Sequence, residues 1–192
     1  MTDSLRRQVD DALREALASR EFTPLQDGVF SIELVPEIRG WVGIGLATEK
    51  RGGEVDADPM VGVRYEPVEK IVRSSASVQP TVIRPLYELI EGGEYQTWSF
   101  NERNLATQAE ALAEALVSHA IPFFESLTPV TAIEEALRSW SFADRRRTRL
   151  PALLLAQGDE EGARAAARHR SFGHRGERAR AAPARSQAAP DL

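Results

Sequence analysis

The apolar residues near the start of the chain recur every three or four positions, which predicts an amphipathic helix. They are Leu5, Val9, Ala12, Leu13, Ala16 and Leu17. Ser4 can cap this helix, and we expect the helix to end near Arg20. Pro24 and Gly28 then predict a loop.

Alternation of apolar and polar residues follows, and it predicts three strands. In GVFSIELV (residues 28–35) and GWVGIGLATEK (40–50), apolar side chains occupy every second position, as in a half-buried strand. Gly43 and Gly45 lie on the other face of the second strand, where a neighbouring group can pack close to the backbone. A polar loop, RGGEVDADP (51–59), leads to a third strand at 60–65. We expect these strands to form an antiparallel meander.

The next segments are less regular. Residues 67–74 predict a short helix, with Pro67 near its first turn. Residues 81–90 contain Pro85 and predict an edge strand or an irregular extended segment. The stretch EYQTWSF (94–100) alternates again and predicts the last strand.

The remainder of the ordered chain reads as helical. A helix capped by Asn101 or Asn104 should continue until Pro122 kinks or ends it. The pair Thr128-Pro129 is a capping residue followed by proline, and it predicts the start of the next helix.

That helix should run to about Trp140, and residues 145–147 predict a polar link. Residues 150–157 and 160–169 then predict a helical hairpin, with Gly158 as the helix stop and Asp159 as the next cap.

This order predicts an α+β fold: an N-terminal helix, an antiparallel meander of about four strands, and a C-terminal set of four to five helices. We expect one domain over residues 1–170, with the helix and sheet in 1–100 and the helical part in 101–170. Residues 171–192 are rich in arginine, proline and glycine. Because they have almost nothing to bury, they predict a disordered basic tail.

Charge is divided unevenly along the chain. Residues 1–140 carry 13 basic and 23 acidic side chains, a balance of −10, whereas residues 141–192 carry 11 basic and 6 acidic, a balance of +5. An acidic body attracts basic partners and repels nucleic acid, and the tail does the reverse. The absence of cysteine excludes disulfides and thiolate metal sites. With no apolar leader and no apolar run long enough to cross a bilayer, the expected location is the cytoplasm, without membrane attachment.

Catalytic and cofactor motifs are not recognisable. The three histidines, His119, His169 and His174, share no metal-ligand spacing. We expect His119 to end a helix, where an imidazole interacts with carbonyl groups. The Gly-x-Gly of GWVGIG lies inside a strand, whereas a phosphate-binding loop places its glycines between a strand and a helix. We therefore predict no catalytic residue, no metal and no cofactor.

Three acids alternate along the predicted loop at 51–59: Glu54, Asp56 and Asp58. Carboxylates at this spacing can bind calcium, but the glycine and the final glutamate of such a loop are missing. They form either a solvated acidic loop or, in the functional interpretation, an acidic surface that binds a basic partner.

Three aromatic residues, Trp41, Tyr65 and Trp98, lie on or beside predicted strands. Such residues usually belong to the core, and the alternative is that they line a concave face and anchor a partner. The arginines of the tail can contact phosphates. Without interleaved aromatic residues, they predict weak, non-specific contacts with nucleic acid at most.

Three stretches combine apolar patterning with helix caps: FSIELVPEIRGWVGIGL, AEALVSHAIPFFESLTPVTAIEEAL and LPALLLAQGDEEGARAAAR. In this order they resemble a family of uncharacterised bacterial domains found among polymorphic-toxin immunity proteins. The resemblance covers about half of the body. It implies a helix, a meander of strands and then several helices, with no catalytic residues.

We therefore expect a non-enzymatic protein-binding domain, such as an immunity-type inhibitor of a basic toxin, because charge complementarity speeds encounter and selects partners. One alternative is a small hydrolase or transferase whose carboxylates converge only in three dimensions. Another is a nucleic-acid-associated regulator that acts through the arginine-rich tail. The oligomeric state stays open.

Overall fold

A six-stranded antiparallel sheet organises the computed structural model, which describes residues 2–48, 53–72, 78–92, 95, 97–139 and 143–168. The strands follow the order β1–β2–β3–β4–β5, and β6 also pairs with β4. Their bounds are β1 Thr23–Gln26, β2 Val29–Val35, β3 Ile38–Thr48, β4 Val55–Tyr65, β5 Val82–Pro85 and β6 Trp98–Phe100.

The helices precede, interrupt and follow this sheet, which confirms the α+β class and the order of elements. Their bounds are α1 Thr2–Ala18, α2 Glu66–Val72, α3 Leu105–Ala115, α4 Ile121–Ser126, α5 Val130–Ser139, α6 Ala143–Ala156 and α7 Glu160–Arg168. A 3-10 turn, Leu86–Leu89, follows β5, and a π-helical turn, Leu116–Ala120, joins α3 to α4. Among the described helices, none is long and apolar enough to span a bilayer.

The two faces of the sheet have different environments, because alternate residues of a strand point to opposite sides. Phe30, Val42 and Val61 are neighbours in register, and they are buried in one core together with apolar residues of the helices. A second, smaller cluster lies on the other side, around Trp41, and of the described residues it contains strand residues and Val78 but none from a helix. We call this side the open face. Its strand positions include Val29, Ser31, Arg39, Trp41, Gly43, Gly45, Ala47, Asp56, Asp58, Met60, Gly62, Arg64 and Ile83.

Strand β4 begins at Val55, so the predicted loop at 51–59 was wrong for its second half. Val55 and Ala57 are fully buried and continue the alternation of the rest of the strand. Pro59 lies between the residues that pair with β6 and those that pair with β5. The Ile44 N–H donates to the Gly28 carbonyl, on the β2 side, so Ile44 and Pro59 form a non-hydrogen-bonded pair of β3 and β4. The proline nitrogen therefore points away from β3, into the gap between β5 and β6. The missing N–H therefore costs no ladder hydrogen bond.

Two other predictions around the sheet change. Residues 23–26 form the edge strand β1 although Pro24 predicted a loop there, because a proline is tolerated on an edge strand, where its nitrogen can face solvent. Residues 81–90 combine both predicted alternatives: a short strand that ends at Pro85 and then a 3-10 turn.

The helix after β6 continues to Ser126, so Pro122 does not end it. A proline ring clashes with the carbonyl four residues earlier, which here belongs to Ser118. The π-helical turn widens the backbone at that residue and gives the ring room. We predicted that His119 ends a helix. It lies instead within this π-helical turn.

Residues 145–147 lie inside α6 and do not form the predicted polar link. Arg145 turns towards the sheet, where its guanidinium donates to the Pro80 carbonyl and, at 2.9 Å, to Gln79 Oε1. Burial, and after it the positive charge of Arg149, lowers the pKa of Arg145 to about 10, against the opposing effect of Glu69. These contacts anchor the run of arginines at 145–147 within α6, although composition alone predicted a linker there.

The helical hairpin of α6 and α7 is confirmed. Gly158 ends the first helix with a φ of +84°, and Asp159 Oδ1 accepts from the Gly162 N–H at 2.8 Å at the start of the second. Several other predictions fall partly or wholly outside the described residues: the ends of the helix at 67–74 and of the strands at 40–50 and 94–100, Trp140, His169, His174 and the basic tail.

Candidate functional site

The six residues predicted for partner binding do not form one site. Trp98 is 4% exposed and lies on the helix-covered face of β6, so it belongs to the main core. Tyr65, the last residue of β4, is half-buried and packs against the same core. Burial raises the pKa of the Tyr65 phenol, and the nearby Glu37 carboxylate raises it further. These two aromatic residues contribute to packing.

Trp41 lies on the open face but is fixed there. Its Nε1–H donates to the Val78 carbonyl at 2.7 Å, and only 6% of the residue is exposed. Its ring covers Gly43, where an added Cβ would lie 2.2 Å from Trp41 Cη2. The predicted close approach to this glycine is therefore confirmed, and the group that makes it is the chain's own tryptophan. Trp41 is a wall of the open face and not a projecting anchor.

The acids lie on the same face, towards the other end of the β3–β4 ladder. Asp56 and Asp58 are in register with Ala47 and Gly45, which have little or no side chain. Asp58 and both small residues are exposed, and Asp56 is half-buried. Asp56 Oδ1 accepts from Ser99 Oγ at 2.5 Å, which orients that carboxylate. We call Asp56, Asp58, Gly45 and Ala47 the acidic patch.

Glu54 precedes β4 and lies beside the acidic patch in sequence. Its Oε1 accepts from Asn101 Nδ2 at 3.3 Å, so it is tied to the turn after β6. The three alternating acids therefore belong to a strand and its entry, and not to a calcium-type loop. Within the described residues, no group of three or more histidines, aspartates or glutamates is placed to hold a metal ion.

A cavity of about 210 Å³ opens at the opposite end of the open face. We call it the arginine cavity, and its lining includes Leu25, Ser31, Arg39, Trp41, Arg64 and Val78, with Gly40 and Glu66. Arg64 Nε donates to Glu66 Oε1 at 2.8 Å and its Nη1 to the Gln79 carbonyl at 2.9 Å, so this side chain is held in place. The sequence alone does not reveal this site, because its polar residues come from three different strands and from α2.

A buried carboxylate, Glu69 of α2, was also missed. Arg149 donates to its Oε1 at 2.8 Å and to its Oε2 at 3.1 Å, and Thr81 Oγ1 donates to Oε1 at 2.9 Å. The Thr81 oxygen in turn accepts from the Tyr65 N–H at 2.9 Å. Every member has a partner, so Glu69 ties α2, α6 and the start of β5 together.

Comparisons with known proteins found no match among protein-family models, curated proteins or solved structures.

Proposed function

We propose that the chain is a non-enzymatic protein-binding domain of the immunity-inhibitor type, which binds a basic partner through the acidic patch. The observation that carries this proposal is the position of Asp56 and Asp58 opposite Gly45 and Ala47 on the open face. Because the facing strand offers no bulky side chain, a lysine or arginine of a partner can reach both the carboxylates and the flat backbone beside them.

The charge of the body supports the same partner class. Residues 1–140 carry a balance of −10, and a field of that sign raises the encounter rate of basic proteins. Asp56 is already oriented by Ser99 and Asp58 is exposed. A partner therefore meets at least one carboxylate whose geometry is set before binding, which reduces the entropy lost on association.

The first experiment captures a partner with the full chain and measures association kinetics across a salt series. Neutralising the three acids together (Glu54→Gln, Asp56→Asn, Asp58→Asn) should slow association about tenfold at low ionic strength, with a smaller effect at high salt. The thermal melt should stay close to wild type, because Asp58 is exposed and the amides that replace Glu54 and Asp56 can still accept the hydrogen bonds from Asn101 and Ser99.

A matched variant separates the patch from net charge. Glu125, Glu135 and Glu161 are exposed on the helices, and changing all three to glutamine removes the same three charges. This control should slow association far less. Equal effects of the two triple variants would assign the binding to overall charge, and unchanged association in both would exclude the acidic patch.

The inhibitor part of the proposal has its own measurement. If the captured partner has a toxic enzymatic activity, the wild-type chain should block it at equimolar concentration, and the patch variant should block it only at higher concentration. A partner whose activity is untouched by a saturating amount of the chain would leave a binding protein but not an inhibitor.

A further inference from the structure

The arginine cavity holds chemistry that the acidic patch does not use. Arg39 and Arg64 are direct register partners on β3 and β4, and like charges placed opposite each other repel. Glu66 neutralises only one of them, Arg64. Arg64 Nε donates to Glu66 Oε1 at 2.8 Å, and Arg64 Nη2 donates to Oε2 at 3.3 Å. Arg39 is exposed and forms no ion pair with any described residue. This holds even for Glu33, its register partner on β2. The lining therefore keeps one positive charge in excess.

A second polar group opens into the same cavity. Ser31 is only 6% exposed, yet its hydroxyl makes no hydrogen bond with any described residue. Throughout the described residues, no side-chain nitrogen or oxygen that is sealed from solvent lacks a partner. The Ser31 hydroxyl must therefore keep access to solvent through the cavity that it lines, and there it can donate to a ligand.

The remaining walls are apolar, and Trp41 among them is already fixed. Trp41 is held by its hydrogen bond to the Val78 carbonyl and by its contact with Gly43. Leu25 of the edge strand, 36% exposed, closes the side of the cavity. Walls that do not have to be ordered on binding favour affinity.

We infer that the arginine cavity binds a small carboxylate with an apolar body. The carboxylate accepts from the free guanidinium of Arg39, whose planar fork matches it, and from the Ser31 hydroxyl. The apolar body packs between Leu25, Trp41 and Val78. A volume of about 210 Å³ lies below the range of about 300–1,000 Å³ that is usual for drug-sized ligands, so the body is about one ring in size. A free aromatic acid and the C-terminal residue of a peptide share this chemistry.

The test is a titration of the ¹⁵N-labelled full chain, followed at the indole N–H signal of Trp41 and assigned with Trp41→Phe. The probes are benzoate and the peptide acetyl-Gly-Gly-Phe, each compared with its neutral amide. At least one acid should shift the Trp41 signal saturably and bind at least about tenfold more tightly than its amide. Tighter binding of benzoate identifies a free acid as the ligand, and tighter binding of the peptide identifies a chain terminus.

Variants connect the binding to the cavity. Arg39→Gln should raise the Kd of the better acid about tenfold, and Ser31→Ala should raise it by a smaller factor. Arg103 is exposed and outside the lining, so Arg103→Gln should leave the Kd unchanged. The Tm of the Arg39→Gln variant without ligand should not fall, because the change relieves the repulsion with Arg64. Equal binding of acid and amide, no saturable shift, or equal Kd values for the two arginine variants would each overturn the inference.

The result is separable from the partner proposal. Asp56→Asn with Asp58→Asn changes the acidic patch alone and should leave benzoate binding intact, so either site can fail without the other.

Discussion

The two faces of the sheet are built from the same strands, yet they have different environments. On β3, Val42 is fully buried against the helix layer, while its neighbours on the open face include the exposed Arg39 and Gly45. Alternate residues of one strand thus serve packing on one side and, in our proposal, recognition on the other. Substitutions on the helix-covered side should change the free energy of unfolding, and substitutions on the open face should change binding.

The largest expected effect breaks the buried ion pair on the helix side. Arg149→Met leaves the Glu69 carboxylate buried without its cation, which should cost about 3–5 kcal/mol of unfolding free energy. The measurement is urea denaturation, compared with Arg164→Met, which removes the cation of an exposed pair with Glu160. That control should cost at most about 1 kcal/mol. Similar losses in the two variants would mean that burial does not distinguish these pairs.

A smaller effect compares two glycines of β3 that face opposite sides. A Cβ at Gly40 would lie 2.5 Å from Phe124 Cδ2 and 2.7 Å from Ile32 Cγ2, so Gly40→Ala should cost about 1–3 kcal/mol. At Gly45 the same atom would lie 3.5 Å from the Asp58 carbonyl oxygen, an ordinary contact. Gly45→Ala should therefore be neutral or stabilise by about 0.5–1 kcal/mol. Equal denaturation midpoints would contradict the division of the strand.

The smallest effect is a pH dependence at Tyr65. Its pKa is raised in the folded chain by burial and then by Glu37, whereas the unfolded chain loses this proton near pH 10. The stabilisation is therefore fully present below about pH 10 and is lost as the pH rises through the higher folded value. Tyr65→Phe should flatten the fall of the urea midpoint across this window and reduce the tyrosinate absorbance change at high pH. A wild-type slope in the variant would exclude Tyr65 as its source.

Prediction from the sequence succeeded where a local pattern decides the structure. Phe30 and Ile32 alternate with polar neighbours, and Gly158 with Asp159 encodes a helix stop and a new cap, so β2 and the last hairpin could be recognised. The first half of β4 could not. Asp56 and Asp58 are polar because that face is open, and Pro59 is tolerated only because β5 and β6 leave a gap beside it.

The sites were harder to predict, because their residues are brought together from distant positions. Glu69 and Arg149 are 80 residues apart, so no local sequence pattern indicates that the two side chains pair. The arginine cavity needs Ser31, Arg39 and Arg64 from three strands, and only the final register aligns them. The acids were recognised as a group, but their placement on a strand depended on the same register.

The edge strand β1 has a consequence for how copies of this chain meet. A free strand edge can template the addition of a strand from another molecule, which leads to aggregation. Here the edge is four residues long, all of them exposed, and includes Pro24, which has no N–H to donate. An incoming strand would find few donors and a short ladder. Pro24, which led to the prediction of a loop at β1, thus also disfavours the addition of a strand from another copy of the chain at high concentration.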